Sequence, residues 1–327
     1  MSDLILYGAT GYTGRLTARR ALEAGLPVTL AGRSAEALAA LAFELGTPYR
    51  CFSLDDPATV GAGLAGASAL LNCAGPYRQS AAPLMEAALR TGCHYLDVSA
   101  EIDSYRRARD LNARAKAAGV MLLPGSGGSV AMLGTLAAHA VARVAQPRAI
   151  AVALRVSGPM SRGSVLSAAE SVTSEILVLH GGKLVPLDGA PERLFDFGQG
   201  AVDCFAVTLP DLLTIGRSTS IGEVGTFVHI SGGAFPPGGP GALADGPTEA
   251  ERAMHRYQAV AEVTGADGRV TRSLLDTANG YSFTPLAAAE AARRVLSGEV
   301  KPGFRTPAGL FGAGFAETIA DTRIIDL

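Results

Sequence analysis

Lysine is almost missing from this 327-residue chain: Lys116, Lys183 and Lys301 are the only three. The residues four positions before them are Asn112, Leu179 and Ser297, so no Tyr-x-x-x-Lys pair exists and proton chemistry through a lysine-lowered tyrosine is excluded. Basic residues are spread out, with no run longer than an arginine pair, and the formal charge is −2, which removes the electrostatic basis for nucleic acid or an anionic membrane as partner. The four cysteines, Cys51, Cys73, Cys93 and Cys204, lie far apart without a Cys-x-x-Cys pair and read as small buried hydrophobes. H-E-x-x-H, G-x-S-x-G and clustered His/Cys patterns are all absent, which argues against a zinc or serine hydrolase. No apolar run reaches the length of a bilayer span. Met1-Ser2-Asp3 leads straight into a strand-like run, with no charged segment ahead of a cleavable apolar one, so the expected location is the cytoplasm.

Apolar residues make up 48% of the chain and charged residues 18%, ample material for packed interiors, and the length predicts two domains. Up to about Leu123, short apolar runs alternate with helical stretches. Strands are predicted at Leu4–Tyr7, Val28–Ala31, Tyr49–Ser53, Ala69–Asn72, Tyr95–Val98 and Val120–Leu123. Helices are predicted at Thr13–Ala24, Ser34–Leu45, Pro57–Leu64, Ala82–Thr91 and Asp103–Ala118. That alternation means right-handed β-α-β units and a parallel sheet. The fold class is therefore α/β, a Rossmann doubly wound parallel sheet over residues 1–124, plus an α+β substrate and dimerisation domain over 125–282. In the second part Ala149–Val156, Val202–Thr208, Gly225–Ser231 and Ala259–Thr264 read as strands, Val165–Leu179 as a helix and Ser231–Pro247 as a long loop. Residues 283–327, opened by a helix with Pro285 in its first turn, are expected to return to the first domain.

The chemistry-bearing stretch is Leu4-Ile5-Leu6-Tyr7-Gly8-Ala9-Thr10-Gly11-Tyr12-Thr13-Gly14. An apolar strand ends at the first glycine of a G-x-x-G-x-x-G spacing and a helix begins at the third, which is what a dinucleotide needs. Gly8 allows the tight turn, Gly11 lets the backbone approach a pyrophosphate, and Gly14 lets helix and strand pack closely. Thr10, Tyr12 and Thr13 complete that loop, and the helix start offers N–H groups and a positive dipole end to the phosphates. The second strand ends Leu30-Ala31-Gly32-Arg33-Ser34, without the acid that would hold an NAD ribose. Arg33 can instead fork onto a 2′-phosphate and Ser34 can add a hydroxyl, so the expected cofactor is NADPH. Asp55 or Asp56, after the third strand, is a candidate for contact with the adenine, although acids at a helix start also serve as caps.

Ligands of a doubly wound sheet sit beyond the carboxyl ends of its strands. The fourth strand delivers Asn72-Cys73-Ala74-Gly75-Pro76-Tyr77 there, and the small residues Cys73, Ala74 and Gly75 let the backbone lie along the ribose and nicotinamide. Tyr77 is a candidate proton donor or a packing group against the ring. The fifth strand ends Tyr95-Leu96-Asp97-Val98-Ser99-Ala100-Glu101, and Asp97 and Glu101 are candidates to orient a substrate amine or relay protons, with helix capping as the plain alternative. His94 opens that strand at its other end and reads as structural. The loop Gly125–Ser129, ahead of a helix, is a candidate receptor for a substrate anion.

Three segments resemble the saccharopine dehydrogenase (saccharopine reductase)-like family, including its trans-acting enoyl reductase branch: Leu6–Arg15, Asn72–Tyr77 and His94–Glu101. The resemblance covers about the first 130 residues and fades in the middle of the chain. It implies an NADP-binding Rossmann domain, a second domain on a mixed sheet, a homodimer, and reduction of an imine or an activated C=C bond. The expected activity is hydride transfer from NADPH to a small organic substrate, free or carrier-bound, with a non-catalytic NADP-binding sensor or scaffold as the competing reading.

Overall fold

A strand with no polar face needs helices on both sides, and β1 (Asp3–Tyr7) is such a strand: Leu4, Ile5 and Leu6 are fully buried. The computed structural model describes residues 3–166, 175–231 and 245–327. By its contacts the chain divides into two units, Met1–Gly128 with Thr284–Arg305, and Ser129–Phe283 with Thr306–Leu327. In the first unit β1 is followed by α1 (Tyr12–Glu23), β2 (Val28–Gly32), α2 (Ala35–Leu45), β3 (Tyr49–Cys51), α3 (Pro57–Leu64), β4 (Ala67–Asn72), α4 (Tyr77–Thr91), β5 (His94–Asp97), α5 (Ile102–Asp110), α6 (Asn112–Ala117) and β6 (Met121–Leu123). All pairings are parallel and the order is β6-β5-β4-β1-β2-β3, with the strand Gly303–Phe304 added beside β6. Chain order therefore reverses between β1 and β4, the switch point of a Rossmann sheet.

Local chemistry explains the boundaries. The buried positions of α1 are Gly14, Thr17, Ala18 and Ala21, a row of small side chains at helical spacing that lets the helix lie close on the sheet. Ser34 caps α2, its Oγ accepting from Ala37 N at 3.4 Å, and Gly46 ends that helix in the left-handed region at φ +63°. Two expectations shift. The helix predicted from Ala82 starts at Tyr77, because Pro76 sets the first turn and Pro83 lies inside it. The single helix predicted over Asp103–Ala118 is broken at Leu111 into α5 and α6.

The second unit begins with α7 (Gly128–Ala142) and builds a mixed sheet from β7 (Pro147–Ser157), β8 (Leu177–His180), β9 (Lys183–Pro186), β10 (Glu192–Asp196), β11 (Ala201–Ala206), β12 (Val224–Ser231), β13 (Tyr257–Gly265), β14 (Val270–Thr277) and, after β15 of the first unit (Gly303–Phe304), β16 (Arg323–Asp326). Its main order is β10-β11-β12-β7-β13-β14-β16, with the β8–β9 hairpin hung on β12. Central β7 runs parallel to β12 and antiparallel to β13. One face is a core of Ala151, Ala153, Phe195, Phe197, Phe227, Val260 and Leu274. Of the helix expected over Val165–Leu179, residues 167–174 lie outside the described residues, and Leu177–Leu179 belong to β8. Most of the expected Ser231–Pro247 loop, residues 232–244, also lies outside them.

The tail does not go where the sequence pointed. Only Thr284–Arg305 belongs with the first unit, while β16 pairs antiparallel with β14 through Leu274↔Ile325 and keeps the last residues in the second. The helix that carries Pro285 starts at Gly280, not at the proline. Asn279 caps it, its Oδ1 accepting from Tyr281 N at 3.0 Å, and Pro285 falls inside.

One side chain of the second unit is out of balance with its surroundings. Asp211, first residue of the helix Asp211–Thr219, is fully buried, and among the described residues neither carboxyl oxygen has a hydrogen-bond partner apart from its own amide. Burial outweighs the favourable helix start and pushes its pKa up to about 7. The folded state therefore holds this proton more tightly than the unfolded chain does. Its contribution to stability is full below the unfolded value near 3.8 and is lost as pH rises through about 7. The loss amounts to roughly 4 kcal/mol for a shift of this size. Asp211→Asn should flatten the pH dependence of the melting temperature between pH 4 and 7 and raise that temperature at pH 8, measured by thermal unfolding; an unchanged profile would show the carboxyl to be solvated.

Candidate functional site

Three strand ends meet in register at the switch point: Tyr7 lies opposite Asn72, and Asn72 opposite Asp97. Immediately beyond them Gly8 turns at φ +80°, and a Cβ on it would sit 2.7 Å from the backbone nitrogen of Ala74. Gly14 is tighter still, since its Cβ would lie 2.1 Å from the Gly8 carbonyl oxygen. Gly11 differs from both. It is exposed, its Cβ would meet nothing nearer than 3.4 Å, and its place is open to a ligand. As N-cap of α1, Gly11 supplies no side-chain bond, and the first turn carries no acid, so the positive end of the helix faces outward without a protein anion on it. Thr10, Tyr12 and Thr13 are half-buried around this opening. The carbonyls of Thr10 and Thr13 are held by Arg15 Nη1 at 2.9 Å and Thr17 Oγ1 at 2.8 Å, which leaves the loop shaped as a donor surface. These residues fit a dinucleotide diphosphate.

At the end of β2, Arg33 and Ser34 are both exposed. Ser34 spends its oxygen lone pair on the α2 cap, and its hydroxyl hydrogen is still a donor. Arg33, Asp55 and Cys51 gather round the Tyr7 hydroxyl: burial raises its pKa, Arg33 pulls it down, and Asp55 and Cys51 push it up. The Cys51 thiol donates to the Arg33 carbonyl at 3.6 Å. Asp55 is exposed and accepts from Ser53 Oγ at 2.6 Å, whereas Asp56 is the helix cap, binding Ala58 N and Thr59 N at 3.1 Å each. The capping alternative thus applies to Asp56, and Asp55 remains beside Arg33.

The reacting end is organised by a buried polar network. Asn72, with no solvent exposure, accepts from Ala74 N at 2.9 Å and donates to Ser80 Oγ at 3.0 Å and Tyr95 Oη at 3.3 Å. Tyr95 Oη donates to Asp97 Oδ2 at 2.8 Å, and Asp97 Oδ1 accepts from Ser99 N at 3.0 Å and Gly125 N at 2.8 Å. Asp97 is fully buried with both oxygens occupied, and burial pushes its pKa up to about 6 against the pull of those donors. It ties the loops after β5 and β6 together and is enclosed. In the loop Gly125–Ser129, Gly125 N and Ser126 N, the latter bound to the Asp97 carbonyl at 2.7 Å, are already used. His94 accepts from Met121 N at 3.2 Å, a structural bond.

Cys73 is buried between β4 and α1, where desolvation pushes its thiol up to about 12 and keeps it neutral. Ala74 is half-buried and Gly75 exposed, so the backbone there is open. Tyr77, half-buried, starts α4, and its pKa lies well above the ordinary phenol value because of burial and then the nearby Cys73, Asp97 and Glu101. Glu101 reaches the start of the same helix, Oε2 accepting from Arg78 N at 3.0 Å. The structure therefore brings Tyr77 and Glu101 together beside Cys73–Gly75 and places Asp97 beneath them. Asn72, Ser80 and Tyr95 had no assigned role in the sequence reading; a lone asparagine closing an apolar strand was the available signal. Among the described residues no group of three or more His, Cys, Asp or Glu can hold a metal ion.

Residues 4–123 match the family profile of the saccharopine dehydrogenase NADP binding domain. The trans-acting enoyl reductase of Mycobacterium leprae (strain TN) is 36% identical over 123 residues, covering 36% of this chain and 29% of that protein. That of Mycobacterium tuberculosis (strain ATCC 25618 / H37Rv) is 35% identical over 116 residues, covering 33% and 28%. The matched stretch thus spans less than a third of those relatives. Apo saccharopine dehydrogenase (L-Glu forming) from Saccharomyces cerevisiae superposes with a TM-score of 0.67 at 13% identity, covering 99% of this chain and all of that one, a likeness of fold. The resemblance carried by the three sequence segments is borne out, and residues 4–123 are similar to an NADP-binding domain of this type.

The glycines give a test that separates folding from binding. Gly14→Ala forces a methyl into the Gly8 carbonyl and should cost about 1–3 kcal/mol or more, read as a lowered melting temperature. Gly11→Ala should leave that temperature within a degree or two while weakening NADPH binding at least tenfold in a fluorescence titration. Equal behaviour of the two variants would contradict the division of roles.

Proposed function

We propose that this chain is an NADPH-dependent reductase that delivers hydride to a polarised C=N or activated C=C bond of a small organic substrate, free or carrier-bound. The observation that carries the reading is a neutral phenol, Tyr77, standing at the open backbone of Cys73–Gly75 in a domain of NADP-binding type. The coenzyme's chemistry is hydride donation from nicotinamide C4. The protein's part is the rest. Gly8–Gly14 seat the diphosphate, Arg33 and Ser34 select the phosphorylated ribose, and the neutral Cys73 thiol offers no competing nucleophile. Tyr77 keeps its proton over the whole physiological range and is the group to hand it to the reduced product.

An imine is the preferred acceptor. Of the two acids expected near the ring, Asp97 is enclosed, and Glu101 remains beside Tyr77 to favour the positive charge of an iminium. Reduction of an enoyl group is the second reading, favoured by the names of the mycobacterial relatives. Assembly as a homodimer and a cytoplasmic location belong to the same proposal; among the described residues no helix is long and apolar enough to cross a membrane.

The decisive experiment is NADPH consumption across cyclic imines, enoyl thioesters and ketones. Turnover is expected with imines first, and NADPH binding without turnover of any class would leave a sensor or scaffold in its place. With an active substrate, Tyr77→Phe should lower kcat by about 100-fold, within the span of general acid catalysis, and leave NADPH affinity within threefold. Wild-type kcat should show no basic limb from Tyr77 below about pH 10. A Tyr77→Phe enzyme with unchanged kcat would reduce this residue to packing.

A further inference from the structure

We infer that the cavity where β14 ends and β16 begins is a binding site for a free α-amino acid, with Arg323 taking the carboxylate and Asp321 the ammonium. The cavity has a volume of about 370 Å³ and is lined by Arg256, Asp276, Asp321, Thr322 and Arg323, all of the second unit. It does not depend on the coenzyme reading above. Its volume is at the small end of ligand pockets, suited to a compact metabolite.

One row across the sheet supplies the floor. Arg155 of β7 lies opposite Gln258 of β13, Gln258 opposite Asp276 of β14, and Asp276 opposite Arg323 of β16, so the four side chains share a face. Asp276 is nearly buried and fully engaged: Oδ1 accepts from Arg256 Nε at 2.9 Å and Nη2 at 2.6 Å, and Oδ2 accepts from Gln258 Nε2 at 3.1 Å. Arg155 braces Gln258 in turn, its Nη1 donating to Oε1 at 3.4 Å. Arg256 also donates Nη1 to Asp321 Oδ2 at 2.7 Å and Nη2 to the Asp321 carbonyl at 3.3 Å. This part of the lining is complete without a ligand.

Two groups are left over. Arg323 is 71% exposed, and its Nη2 stands 3.9 Å from Asp276 Oδ1, beyond hydrogen-bond reach of an oxygen that already holds two bonds. Asp321 gives one carboxylate oxygen to Arg256, and among the described residues its Oδ1 accepts no hydrogen bond. Its backbone stands at φ +59°, in the left-handed region that a residue other than glycine enters at a cost. Thr322, between the two, is tied to Thr277 with their Oγ1 atoms 2.6 Å apart, which fixes the turn.

The lining is neutral, two arginines against two acids, and that sets the class of ligand. An anion alone would meet the half-used Asp321, and a cation alone would meet Arg323. A molecule with both charges satisfies both groups. An α-amino acid carries its two charges on one carbon, and Asp321 and Arg323 are two residues apart, about 7 Å at most between Cα atoms.

The test is calorimetric titration of the full chain, at low ionic strength, with L-alanine, with L-alaninamide, which lacks the carboxylate, and with N-acetyl-L-alanine, which lacks the ammonium. L-Alanine should bind roughly tenfold or more tightly than either, because each of the others keeps one charge-assisted bond and sets its charge beside a like one. Arg323→Gln and Asp321→Asn should each weaken L-alanine roughly tenfold or more. Both should leave the melting temperature within about two degrees, since the side chains are exposed and asparagine tolerates a positive φ. Arg323→Lys should recover part of the affinity, the charge returning without the planar fork. N-acetyl-L-alanine binding as tightly as L-alanine would make this an anion site and overturn the inference, and equal binding of L-alaninamide would do the same from the cationic side. No binding of L-alanine, or an affinity indifferent to both substitutions, would reduce the cluster to a structural ion pair.

Discussion

The whole site depends on one approach of backbone to backbone. The turn after β1 touches the turn after β4 at Gly8 and Ala74, and α1 touches the turn after β1 at Gly14, at distances that leave no room for a single methyl group. Two strands adjacent in a parallel sheet but far apart in sequence have their carboxyl ends drawn together there. That contact makes one continuous surface from the start of α1 to Cys73–Gly75. A surface of that kind can hold an extended ligand whose two halves need different chemistry.

Behind the surface, polar groups do work that apolar packing cannot. Asn72, Tyr95 and Asp97 are buried, and each holds a loop by its backbone or a neighbour that does so. A buried network of this kind is costly unless every member is satisfied, and the bonds to Ser99, Gly125 and Ala74 satisfy this one while fixing the loops that line the site. Tyr77 and Glu101 stand above it with their environment set by charges beneath. The division separates the fully buried Asp97, which holds the loops, from the half-buried Glu101, which holds the start of α4.

Much of this was legible in the residues themselves. The glycine spacing, the strand before it and the helix after it state a backbone requirement that few folds share, and the absence of an acid after β2 carries the coenzyme preference. Periodicity located the strands of the first unit as short apolar runs, because β1, β2, β5 and β6 are buried on nearly every residue, although the edge strand β3 is largely exposed. It located fewer of the second, where β8, β9 and β10 are short and largely exposed, and alternate too briefly to stand out. Pro285 misled because proline marks helix starts so reliably that an interior proline reads as one, yet its helix begins five residues earlier, at Gly280. Nor can a sequence show which of two acids is enclosed. Asp97 and Glu101 differ by four positions, and only the packing of Tyr95, Ser99 and Gly125 tells them apart. The destination of the tail was hidden for a similar reason, since β16 finds its partner through an edge of β14 formed by residues about 50 positions away.

The cysteines, unremarkable in sequence, differ sharply in their surroundings. Three are buried, and Cys51 alone is exposed, tied to the carbonyl of Arg33. A maleimide dye would therefore attach at one place, beside the end of β2. The native chain carries its own attachment point for an optical reporter of coenzyme occupancy, without prior removal of other thiols.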